Sequence, residues 1–67
     1  MDKVKRIYNI AESIITITGE EVKRLDIQKF ILGNIEGYVG YLTTVSGIEY
    51  RIRPDGTFET IIARGVA

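Results

Sequence analysis

From residue 3 onward apolar residues return at helical intervals. Val4, Ile7, Tyr8, Ala11, Ile14 and Ile15 make one continuous stripe, and Lys5, Asn9, Glu12 and Ser13 lie mostly off it. Asp2 stands where an N-cap belongs. The pattern predicts an amphipathic helix from residue 3 to about 16, with Ile10 and Ile17 widening one flank. The β-branched run Ile14-Ile15-Thr16-Ile17-Thr18 works against the end of that helix, because such side chains favour strands.

The last third of the chain, Tyr38 to Ile62, reads as a three-stranded antiparallel meander with two turns. Ser46-Gly47 is a two-residue hairpin turn. Pro54-Asp55-Gly56 sets the corner φ with Pro, suits Asp next, and gives Gly the left-handed position of a bulge. Pairing across the first turn sets Val45 opposite Ile48, Thr43 opposite Tyr50 and Tyr41 opposite Ile52. The second sets Arg53 opposite Thr57, Ile52 opposite Phe58, Tyr50 opposite Thr60 and Ile48 opposite Ile62. Val39, Tyr41, Val45, Ile48, Tyr50, Ile52, Phe58 and Ile62 then share an inner face. Thr44, Glu49, Arg51, Arg53, Thr57 and Glu59 face outward, with Arg51 across from Glu59. Tyr38, Leu42 and Ile61 are the apolar residues left on that outer face.

Residues 19–32 carry two signals. Thr18 followed by Glu21 is a capping box, the composition favours helix, and Gly33-Asn34 suits a helix stop. The apolar residues do not share a helical face, however: Val22, Leu25 and Leu32 lie on one side, Ile27 and Ile31 nearly opposite. A second helix at about 19–32, buried on both sides, is the expectation; a strand from about Val22 to Ile31 is the alternative. The fold expected is α+β: one N-terminal amphipathic helix, and a second, packed on a three-stranded antiparallel meander.

At 67 residues the chain is one small domain, 1–67, with little core to stabilise it. It has no Cys and no His, so disulfides, thiolate metal sites and the commonest general base are all missing. Association is the remaining route to extra stability. Nine basic and nine acidic residues give a formal net charge of zero, without the overall pull of a nonspecific nucleic-acid binder. No apolar run is long enough to span a bilayer, and no signal peptide is visible, so a cytoplasmic location is expected.

Catalytic motifs fail on inspection. Gly33, Gly37 and Gly40 lack the Gly-Lys-Ser/Thr of a P-loop, and Gly37-Tyr-Val-Gly40 has no basic residue between its glycines. These glycines read as relief of crowding at a turn and over an aromatic ring. Ser13 and Ser46 have no base to activate them, and no two carboxylates are poised for acid–base work. No catalytic residue, cofactor, metal or small-molecule substrate is expected. Tyr41 and Tyr50 read as core side chains rather than a base-stacking platform.

The order of helix, undecided segment and meander, ending in Glu49-Tyr50-Arg51-Ile52-Arg53-Pro54-Asp55-Gly56-Thr57-Phe58, is similar in outline to PepSY-type domains. The resemblance covers about half the chain and implies a strand over residues 22–31. It implies no function here.

The function expected is protein–protein interaction without catalysis, as a homodimer or accessory subunit. Tyr38, Leu42 and Ile61 would make the contacts, joined by Ile27 and Ile31 if residues 19–32 form a two-sided helix. The alternative is DNA or RNA binding on the outer sheet by Arg51 and Arg53, with Lys23 or Lys29 on phosphates.

Overall fold

A computed structural model describes residues 2–61. The chain runs α1 (Lys3–Thr18), β1 (Val22–Leu32), β2 (Ile35–Thr44), β3 (Glu49–Ile52) and β4 (Phe58–Ile61). It is an α+β fold in which α1 packs on a four-stranded antiparallel sheet of order β1-β2-β3-β4.

Both ends of α1 have local causes. Asp2 is the N-cap: its carboxylate accepts from Val4 N–H at 2.9 Å and Lys5 N–H at 3.4 Å. Gly19 ends the helix at φ 75°, donating its N–H to Ile15 O at 2.8 Å. Thr18 is thus the last helical residue, not the first cap of a second helix. Ile7, Ala11 and Ile14 are buried, and Ile10 and Ile15 pack beside them. Tyr8, expected on the stripe, is half exposed.

Residues 22–32 form β1, a strand, so the expected second helix is absent and the meander gains a fourth strand. The helix-favouring composition loses to the cross-strand ladder with β2, which runs from Leu32↔Ile35 to Val22↔Thr44 with one irregularity between Val22 and Arg24. The two-residue turn Gly33-Asn34 closes this hairpin, with Gly33 at φ 63° in the first central position.

The second hairpin pairs as its sequence predicts: Ile52↔Phe58, Arg51↔Glu59 and Tyr50↔Thr60. The first is shifted by one residue. Leu42 lies opposite Tyr50, Tyr41 opposite Arg51 and Gly40 opposite Ile52. The cause is the turn. Thr44 N–H donates to Ile48 O at 2.9 Å and Gly47 N–H to Thr44 O at 3.0 Å, so three residues, Val45-Ser46-Gly47, form the loop. Arg53 to Thr57 repeats the design with bonds of 2.9 and 3.1 Å, and Gly47 and Gly56 sit at φ 98° and 99°. Thr44 is fully buried and reinforces the first turn by accepting Ile48 N–H on Oγ1 at 3.1 Å.

That single slip turns β2 over. Leu42 and Thr44, expected outside, are fully buried beneath the helix, while Val39 and Tyr41 move to the other face. The core is Ile7, Ala11 and Ile14 against Leu42, Tyr50 and Ile52, with Leu25, Ile27 and Tyr38 packed around it. Tyr50 and Phe58 meet edge-to-face with centroids 6.2 Å apart. Val45 and Ile48, expected in this core, are exposed in and beside the turn, and Ile62 lies outside the described residues. No helix of the described residues is long and apolar enough to cross a membrane.

Candidate interaction surface

The strands differ greatly in length. β1 and β2 have 11 and 10 residues, β3 and β4 only 4 each. β3 pairs with β2 only from Gly40 to Thr43, so residues 28–39 continue past the rest of the sheet as a two-stranded arm. Eleven extended residues span about 36 Å, close to the 38 Å longest dimension of the fold.

The arm ends in apolar side chains. Ile31, Leu32 and Ile35 are about two-thirds exposed, at 64, 68 and 68 %, and Phe30 is 43 % exposed. Phe30 lies across from Gly37 with its ring over the bare glycine backbone. This cover limits water access to a strand position that lacks a side chain.

Charges on the arm and just below it are neutralised in place. Lys29 Nζ meets Glu36 Oε2 on the arm at 3.1 Å, and below it Arg24 Nε meets Asp26 Oδ2 at 2.9 Å. The hydrogen bond to Glu36 raises the Lys29 pKa above its ordinary value. The arm therefore presents exposed apolar surface with little net charge.

Its outer edge is open. Among the described residues β1 has no sheet neighbour except β2, and the helix packs on β2 and β3. Leu32 and Ile35 flank a two-residue turn and form a hydrogen-bonded pair. Alternation along the ladder then points the backbone N–H and C=O groups of Leu25, Ile27, Lys29 and Ile31 away from β2.

At the foot of the arm a cleft of about 450 Å³ opens between the first helical turn and the Pro54 turn. Lys3, Arg6, Phe30, Tyr38 and Arg53 line it, with Asp55 at its rim. These lining residues contain no nucleophile beside a base. Among the described residues no three acidic side chains converge as metal ligands.

The residues singled out in the sequence are scattered. Leu42 is core and cannot be a contact residue; Tyr38 and Ile27 are partly buried against that core. Ile61 pairs with Glu49 on the opposite face, so it forms no patch with Tyr38 and Leu42. Ile31 alone is freely exposed, on the arm. Arg51 Nη2 and Arg53 Nη2 both bond Glu59 Oε2, at 2.7 and 3.1 Å. Arg51 Nε is buried without a partner. Lys23 is exposed at the irregularity that opens β1, and Lys29 is held by Glu36 on the arm. Lys23, Lys29 and the Arg51–Arg53 pair thus lie in separate places rather than along one track. Phe30, Leu32 and Ile35 were missed because only the strand pairing brings them together; the Phe-Ile-Leu-Gly-Asn-Ile run was the signal available.

No protein-family model, no curated protein and no solved structure matches this chain.

Proposed function

We propose that the chain is a small non-catalytic interaction module that works as a homodimer through its β1–β2 arm. The observation that carries this reading is the exposure of Phe30, Leu32 and Ile35 on one face of the arm, with Ile31 exposed on the other, beyond the sheet that the helix covers. An apolar cluster of this kind on so small a domain marks a contact surface. Among the described residues the core has six buried hydrophobic side chains, so association would also add stability. A second copy suits the arm because Arg24 is paired with Asp26 and Lys29 with Glu36, leaving Lys23, at the irregular start of β1, as the strand's one cation outside these pairs to oppose a like strand. A nucleic-acid role for Arg51 and Arg53 has less support, since Glu59 engages both guanidinium groups.

Sedimentation equilibrium tests the proposal. A dimer is expected at micromolar concentration, and Ile31→Lys with Leu32→Lys should shift it to monomer while the helix signal in circular dichroism is unchanged. A wild-type monomer at every concentration, or a dimer indifferent to both changes, would overturn it.

A further inference from the structure

We infer that two chains join by antiparallel pairing of their β1 strands about a two-fold axis at Ile27, merging two four-stranded sheets into one of eight. This rests on the homodimer reading and specifies how the copies meet.

The edge of β1 lacks the usual protection. It has 11 residues where strands commonly have about 5–6. It contains no Pro, and its ladder is regular from Arg24 to Leu32. Edges are normally guarded by proline, bulges or free charges. Here Arg24 is taken up by Asp26 and Lys29 by Glu36, so their charges oppose a second strand only weakly.

Charge and backbone direction narrow the register, and overlap decides it: an axis at Leu25 would set Arg24 against Asp26 but pair only residues 22–28, whereas one at Ile27, the middle of β1, pairs all 11 residues. The outward-facing backbone groups belong to Leu25, Ile27, Lys29 and Ile31, and these must pair with one another across the axis. An axis at Asp26 would set two aspartates face to face, and one at Lys29 two lysines; like charges directly opposite are unfavourable. An axis at Ile27 pairs Ile27 with its own copy, Leu25 with Lys29, Asp26 with Gln28 and Arg24 with Phe30. The last pair brings a guanidinium near an aromatic ring. The two Asp26 carboxylates are then only diagonal neighbours, each already held by Arg24 at 2.9 Å. Leu25 and Ile27, both packed against the helical core, would continue into the same residues of the partner. An axis at Gln28 also avoids facing charges, but it sets Ile27 against Lys29 and Asp26 against Phe30.

Disulfide trapping separates these arrangements, because the chain has no cysteine of its own. Asp26→Cys and Gln28→Cys chains are mixed under mild oxidation; both positions are exposed. The mixed cross-link should form at least tenfold faster than either self-cross-link. Rapid self-cross-linking of Gln28→Cys would move the axis and overturn the Ile27 register. A dimer that traps in no combination would overturn edge pairing and leave the homodimer standing. A monomer throughout would remove both. Amide exchange on the unaltered chain gives an independent reading. The amides of Leu25, Ile27 and Lys29 should be protected at high concentration and lose protection on dilution; rapid exchange within the dimer would refute the pairing.

Discussion

Ile7 rests directly on the backbone of Gly40, leaving no room for even a methyl group between helix and sheet. A Cβ at position 40 would strike Ile7 Cγ2, and Ile7 is fully buried with nowhere to retreat. Gly40→Ala should therefore destabilise by about 1–3 kcal/mol, the usual cost of overpacking a core. Trimming the neighbour with Ile7→Val in the same chain should recover part of that loss. Urea unfolding of the single and double variants checks both.

Gly37 offers a contrast at a similar steric conflict. A Cβ there would meet the far edge of the Phe30 ring, and that ring is 43 % exposed and can swing away. Gly37→Ala should change stability by no more than about 0.5 kcal/mol, as at ordinary surface sites. A loss as large as that at Gly40 would mean that the ring is held more firmly than its exposure implies.

The two three-residue turns should respond alike. Gly47 and Gly56 hold φ near 98° and 99°, where a side chain is strained. Replacing either with Ala should cost about 1–2 kcal/mol, read from thermal or urea unfolding. Cross-strand NOEs should place Tyr50 opposite Leu42 and Thr60. An NOE pattern with Tyr50 opposite Thr43 would mean the two-residue turn and the other register.

Acid should weaken the fold through the second hairpin. Hydrogen bonds from the Thr57 hydroxyl, then its N–H, hold the Asp55 pKa below its ordinary 3.8. The hydrogen bond from Arg53 likewise lowers the Glu59 pKa from 4.5. Both groups bind protons less readily folded than unfolded. Their stabilisation is thus complete above those ordinary values and fades as pH falls through the lower folded ones. Denaturation midpoints should hold from neutral pH to about 5 and then decline. Asp55→Asn with Glu59→Gln should flatten the decline.

The helix was readable because its signals agree: Asp2 caps one end, and Ile7, Ala11 and Ile14 recur on one face. The Pro54 hairpin was readable because Pro, Asp and Gly each have a position in that turn. Val45 hid the equivalent turn before β3. It looks like a strand residue, yet it occupies the first loop position, and counting it as strand reverses the faces of β2. β1 was ambiguous for a different reason. Its apolar residues lie on both faces, as Phe30 and Leu32 alternate with Ile27 and Ile31, so neither a helical nor a strand period stands out. Leu42 and Tyr38 face outward only in the slipped register of the first hairpin, whereas Ile61 follows the second hairpin, whose register the sequence predicts.

Because the arm runs on where β3 and β4 have stopped, Ile31, Leu32 and Ile35 lie apart from the packing beneath the helix. Substitutions there are decoupled from foldability, so the same scaffold can tolerate new recognition sequences at its far end. Grafting foreign turn sequences between Phe30 and Gly37 would be a practical use of that separation.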